Sequence, residues 1–100
     1  EMIVSGGENV YPSEIEEVLE AHPDITDLTV IGVPDEEFGQ VLRAYVVGDV
    51  EPGEVRDWLR ERIARYKVPK RVVVVSELPR NATGKVLKRH LLRAEHPSLG

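Results

Sequence analysis

Cysteine is absent from the 100 residues. That absence removes disulfides, thiolate metal sites and a cysteine nucleophile together. It fits a cytosolic chain, and the cytoplasm is the expected compartment. Long apolar runs are missing as well. The run Val72 to Val75 has only strand length, far below the ~20 residues of a membrane-spanning helix. The opening Glu1-Met2-Ile3-Val4 has neither the basic start nor the apolar stretch of a secretory leader. His22, His90 and His96 show no metal-ligand spacing, so no metal site is expected.

What remains describes a folded unit. Apolar residues make up 41%, normal for a globular domain and too many for a disordered chain. The length suits one domain. A start at Glu1, with Met2 inside, suggests a piece cut from a longer protein. The net charge of −5 conceals an asymmetry. Residues 1–55 hold fourteen acids and one base, Arg43, whereas residues 56–100 hold twelve bases and four acids. The basic half either attracts phosphates, coenzyme tails or nucleic acid, or pairs with the acidic half.

The order of elements reads β-α-β-β-α-β-α. Met2-Ile3-Val4 is a short edge strand, and Ser5 to Asn9 a loop. Pro12-Ser13 opens a helix, with Ser13 as N-cap and Glu16 completing a capping box. Ile15, Val18 and Leu19 form its apolar stripe, and His22-Pro23 ends it. Leu28 to Val33 and Val41 to Val47 are strands. The second alternates, with Leu42, Ala44 and Val46 on one face and Val41, Arg43, Tyr45 and Val47 on the other. A helix follows from about Glu54 to Arg65, its stripe formed by Val55, Trp58, Leu59 and Ile63. Arg71 to Val75 is a third strand, and a last helix starts near Lys85 or Val86. The expected class is α+β: a small mixed sheet of about three strands with helices packed on it, plus a short N-terminal edge strand or hairpin.

Most catalytic signatures fail. Gly84-Lys85 is no phosphate-binding P-loop, because Pro79 stands where its first glycine belongs and Val86 where it needs Ser or Thr. Gly6-Gly7 lacks the third glycine of a dinucleotide fingerprint. No nucleophile elbow occurs, and no carboxylate pair stands out as an acid–base couple. The segment Leu78-Pro79-Arg80-Asn81-Ala82-Thr83-Gly84-Lys85 is different. Pro79 stiffens it, Asn81 and Thr83 can bond the local backbone, and Gly84 permits a tight bend. It reads either as a loop presenting one ammonium group beside a helix N-terminus or as a surface hairpin with a solvated lysine. Ser5 to Pro12 is equally open: its glycines let a backbone approach a narrow ligand, or simply turn the chain.

Three stretches in order, SGGENVYPSEIEEVLEAHPDI, VIGVPDEEFGQ and YKVPKRVVVVSELPRNATGKVLKR, resemble the C-terminal domain of the adenylate-forming enzymes. These are the acyl-CoA synthetases, the adenylation domains of peptide synthetases and the beetle luciferases. The likeness runs from Met2 to about Arg93. It implies that residues 1–100 are one mobile domain of a larger enzyme. The ATP loop, adenine pocket and acyl pocket would belong to an N-terminal domain outside this sequence, with the hinge just before Glu1. It implies two steps: ATP and a carboxylic acid give an acyl-adenylate, then a thiol gives the thioester and AMP. By resemblance, Lys85 is the adenylation lysine. Ser5, Gly6 and Gly7 line the pantetheine tunnel, and Lys70 and Arg71 fall where some relatives contact coenzyme A phosphates. Those two have a plainer reading as solvated charges at a strand edge. Lysines matching Lys85 are reversibly acylated in parts of the family. ATP and coenzyme A are the implied substrates, with Mg2+ held elsewhere in the full enzyme, the N-terminal domain as partner, and no nucleic acid. GGENVYP with PRNATGK looks most like ligases of fatty or aryl acids. A carrier-loading peptide-synthetase domain and a stand-alone module binding a phosphate-rich ligand are the alternatives. The domain alone is expected to be inactive.

Overall fold

The computed structural model describes residues 1–95; His96 lies outside them. Five strands form one mixed sheet. They are β1 (Ile3–Ser5), β2 (Glu8–Val10), β3 (Ile25–Asp35), β4 (Gly39–Gly48) and β5 (Arg71–Val74). The helices are α1 (Pro12–Leu19), α2 (Pro52–Arg60) and α3 (Lys88–Glu95), with a 3-10 turn at Arg65–Lys67. The long hairpin β3–β4 is antiparallel from Ile25↔Gly48 to Asp35↔Gly39. Along the other edge of β4 run β5, parallel, and β1, antiparallel and touching at Ser5↔Gly39. No described helix is long and apolar enough to cross a membrane.

Alternation along β4 sorts its side chains into two cores. Leu42, Ala44 and Val46 join Ile15 and Leu19 of α1 and Val55 and Leu59 of α2. Val41 and Tyr45 join Ile31, Val33, Leu78 and Leu91 of α3. Helices therefore cover both faces of the central strand.

Several local expectations are corrected. The stretch after Ser5 is a hairpin, not an open loop: Gly6 and Gly7 (φ +56° and +84°) make a two-residue turn, and Glu8–Val10 pairs back on β1. Two positive φ values in succession are the type I′ geometry whose twist matches a hairpin. The expected N-terminal edge strand or hairpin is therefore the hairpin, with β2 added to β1. At α1 the N-cap is Tyr11, with Pro12 at the first helical position and no side-chain cap. Ser13 and Glu16 form no capping box. Glu16 instead accepts hydrogen bonds from the Val30 N–H (2.9 Å) and the Thr29 hydroxyl (3.2 Å). β3 is an edge strand, and this carboxylate satisfies its outward amide, which a buried edge cannot leave bare. The capping box belongs to α2, between Glu51 and Glu54, so α2 starts earlier than expected and ends at Arg60. Likewise α3 starts at Lys88, three residues beyond Lys85.

Glu16→Ala should destabilise the fold by about 1–3 kcal/mol, the cost of stranding a buried hydroxyl and an amide. Glu16→Gln, which keeps an acceptor, should lose less. Urea unfolding checks the ranking; equal losses would mean that packing, not the hydrogen bonds, sets the effect.

Candidate functional site

The lysine loop is a small hairpin closed by its own polar groups. Arg80 bridges Val86, and the Leu87 N–H reaches the Pro79 carbonyl at 2.8 Å. The Asn81 N–H donates to the Lys85 carbonyl (2.9 Å), and the Gly84 N–H to the Asn81 carbonyl (3.0 Å). The Asn81 side-chain oxygen accepts from the Thr83 N–H (3.0 Å), the Thr83 hydroxyl (2.7 Å) and the Lys85 N–H (3.0 Å). Gly84 takes φ +88° to close the bend. Lys85 therefore sits on a hairpin rung, not in a helix first turn. Its backbone amide is taken by Asn81, so no helix dipole acts through it. Its exposed side chain borders an open cavity of about 460 Å³ with Lys88, Arg89 and His90.

The Ser5–Gly6 hairpin faces a second groove, of about 370 Å³. Ser5, Gly6, Phe38, Tyr66 and Lys70 are among its walls, with Arg56 and Arg65 adding positive charge. Gly6 is pinned there by its N–H to the Phe38 carbonyl (3.0 Å). A Cβ on Gly6 would stand 3.0 Å from the Phe38 ring, whereas one on Gly7 would meet nothing within 4 Å. Phe38 and Tyr66 are exposed aromatics. Of the five residues named beside Lys85, the fold brings Ser5, Gly6 and Lys70 to this groove. Gly7 is in the same turn but not among the walls, and Arg71 lines the adjoining cavity with Arg43 and Asp35.

Lys70 is not merely solvated. Its ammonium lies 2.9 Å from Asp35 and 5.7 Å from the centre of the Phe38 ring, within cation–π range. Asp35 also accepts the Glu37 (3.2 Å) and Phe38 (3.0 Å) N–H groups, shaping the β3–β4 turn. The Lys70 hydrogen bond, aided by that of Phe38, holds the Asp35 carboxyl below the ordinary carboxylate range, and Asp35 in turn raises Lys70. A depressed acid stabilises the fold above its unfolded value and loses that contribution as pH falls through the folded one. A raised base contributes below its unfolded value and fades as pH rises through the folded one. The link is therefore intact at neutral pH and weakens in acid and in strong alkali. NMR titration should find Asp35 protonating below an ordinary aspartate, and Lys70→Met should move it back up. An unmoved Asp35 would remove Lys70 as the cause.

Sequence reasoning missed Asp35, Phe38, Arg56, Arg65 and Tyr66. A signal existed for Asp35, because Pro-Asp before a glycine-closed turn is an Asx-turn pattern. None existed for the arginines, whose groove forms only when α2 and the 3-10 turn meet the hairpin. The halves of opposite charge do pair, through Glu14–Lys67, Asp27–Arg80, Asp35–Lys70 and Glu1–Lys88.

The small α+β layer thus places the lysine hairpin and the Ser5–Gly6 hairpin over two separate cavities. Residues 14–85 match the AMP-binding enzyme C-terminal domain, and the chain belongs to that family. It is 50% identical over 93 residues to a 2-succinylbenzoate–CoA ligase of Bacillus mycoides, covering 91% of this chain and 19% of the relative. It is similar in structure to the Mycobacterium tuberculosis fatty acyl CoA synthetase (TM-score 0.85, 44% identity, 98% of this chain and 20% of that one). It also resembles the Bacillus subtilis o-succinylbenzoate CoA synthetase double mutant bound with its product analogue (TM-score 0.82, 45% identity, 91% and 19%). The chain spans about a fifth of the length of these relatives.

Proposed function

We propose that this chain is the mobile C-terminal domain of an AMP-forming acyl-CoA ligase, serving both steps of the reaction. In the first step a substrate carboxylate oxygen attacks the α-phosphate of ATP, forming the acyl-adenylate and releasing pyrophosphate. Lys85 places its ammonium against the carboxylate and the α-phosphate oxygens. Two anions are brought together there, and a mobile point charge offsets their repulsion in the transition state. In the second step the thiolate of coenzyme A attacks the acyl carbonyl, AMP leaves, and the thiol proton goes to solvent. Ser5 and Gly6 then form the wall past which the pantetheine arm runs, with Gly7 completing the turn behind them. ATP, coenzyme A, the carboxylic acid and a large N-terminal domain are the partners of this reading.

One observation carries it: Ser5, Gly6 and Lys70 share a groove with three cations against one acid, Glu8, and with two aromatics among its apolar walls, while Lys85 stands on a different loop over another cavity. A nucleotide with phosphates and a purine suits the groove chemically, through ion pairing and stacking. This favours free coenzyme A over a carrier-bound thiol, which has no nucleotide to place there. Lys70 is assigned to the coenzyme phosphates and Arg71 to their margin. Among the described residues no three His, Asp or Glu side chains converge as a metal site. Any Mg2+ that the reaction uses is assigned to the N-terminal domain. Cytoplasmic placement accords with these water-borne substrates.

The test divides the full-length enzyme's reaction into halves. Pyrophosphate exchange reports adenylation, and thioester formation from supplied acyl-adenylate reports the second step. A Lys85 variant should fail the first alone and a Gly6 variant the second alone. Loss of both halves in both variants would overturn the division of labour.

A further inference from the structure

We propose that Arg80 and Asp27 form a clamp that positions Lys85 for adenylation. The inference rests on the reading of Lys85 above. The Arg80 guanidinium grips both oxygens of Asp27 on β3, at 2.7 and 3.0 Å. Its other terminal nitrogen donates to the Gly84 carbonyl at 2.6 Å. That carbonyl belongs to the peptide bond joining Gly84 to Lys85. One fork-shaped cation thus ties the lysine's own peptide to a strand 53 residues away in sequence.

The geometry is built from both sides. The β3–β4 ladder slips between Ile25 and Asp27, and such irregularities re-aim a side chain. Asp27 is further fixed by the Leu28 N–H at 2.9 Å. Asn81 holds the inside of the turn, but its partners Thr83 and Lys85 lie within the loop. Asn81 can set the loop's shape and cannot set its direction relative to the sheet. Leu78 and Val86 seat the base of the loop on the second core, and the clamp adds the polar tether to β3 next to the lysine. Arg suits the place: its planar fork spans a carboxylate and a carbonyl together, which a lysine cannot do.

A clamp of this kind acts through Lys85, so its loss should affect one half-reaction. Misplacing a charged group by about 1 Å costs up to 10²-fold in rate. In the full-length enzyme, Asp27→Asn and Arg80→Gln should each lower pyrophosphate exchange about tenfold by the same argument, relaxed because the loop keeps its internal bonds. Thioester formation from supplied acyl-adenylate and the melting temperature should stay near wild type. The double variant should lose no more than either single one, since both remove the same link. Arg80→Lys should fail nearly as badly as Arg80→Gln. Unchanged exchange, equal loss in both half-reactions, or losses that multiply in the double variant would overturn the clamp. Lys85→Ala, run alongside, separates the two ideas. If it spares exchange, the lysine's role and the clamp both fall; if it lowers exchange about 10²-fold or more while Asp27→Asn leaves exchange at wild type, the clamp alone falls.

Discussion

Lys85→Ala is expected to lower adenylation on the order of 10²–10³-fold while leaving thioester formation from supplied acyl-adenylate within a few-fold of wild type. The size follows from removing one preorganised charge from the point where negative charge accumulates, worth about 3–4 kcal/mol of barrier. The selectivity follows from position. Lys85 is exposed on a loop bordering its own cavity, and Ser5, Gly6 and Lys70 line a different one. If the thioester step uses the Ser5–Gly6 groove, as proposed, an ammonium over the other cavity has no part in it. Lys85→Arg should restore little, because a guanidinium is broader and cannot substitute for a compact point charge. The melting temperature should not move, since the hairpin is closed by Asn81 and by backbone bonds rather than by the lysine side chain. Pyrophosphate exchange and single-turnover thioesterification on the same preparations decide the matter. Parallel losses in both would place Lys85 in general substrate binding instead.

The elements that were legible in the sequence are those whose periodicity is long. Strands β3 and β4 and the stripes of α1 and α2 each offered several residues in phase. The β4 alternation even foretold the two cores, with Leu42, Ala44 and Val46 in one and Val41 and Tyr45 in the other. Short features were legible only in part: β1 was expected, but not whether it stood alone or in a hairpin. β2 has three residues, too few for a period, and its Gly-Gly turn reads equally as an open loop. Glu16 satisfied the local pattern of a capping box, yet the edge amide of Val30 claimed it. A tertiary partner outbid a local one, and no sequence window shows that competition. Arg80 is the same case across the fold. Within its loop it is one of several bases; only β3 makes it a tether.

The charge asymmetry resolves in a related way. Composition alone allowed either ligand attraction or pairing between the halves. The structure uses cations for both ends. Lys67, Lys70, Arg80 and Lys88 are tied to acids of the first half. Arg56 and Arg65 contribute charge to the groove wall. Lys70 belongs to both sets, held by Asp35 and facing the groove. On the proposed reading it is already oriented for a coenzyme phosphate, which lowers the ordering cost of binding.

Gly6→Leu should show the inverse pattern to Lys85→Ala: thioester formation lowered on the order of 10²-fold, with pyrophosphate exchange retained. Two physical effects add at this residue. Its φ of +56° disfavours any side chain with a Cβ, by about 1–2 kcal/mol. The new Cβ would also begin 3.0 Å from the Phe38 ring, so the rest of the leucine must push the aromatic aside or project into the groove. Either displacement narrows the path along which a thin thiol arm reaches the acyl carbonyl, and a misplacement of about 1 Å is enough for a loss of that order. Gly7→Ala is the control. It imposes a comparable backbone strain at φ +84° but meets nothing within 4 Å. If obstruction of the groove is the cause, Gly7→Ala lowers the melting temperature about as much and spares the thioester step. If both variants lose that step equally, strain in the hairpin is responsible. If Gly6→Leu keeps the thioester rate within twofold, the pantetheine arm does not pass this wall.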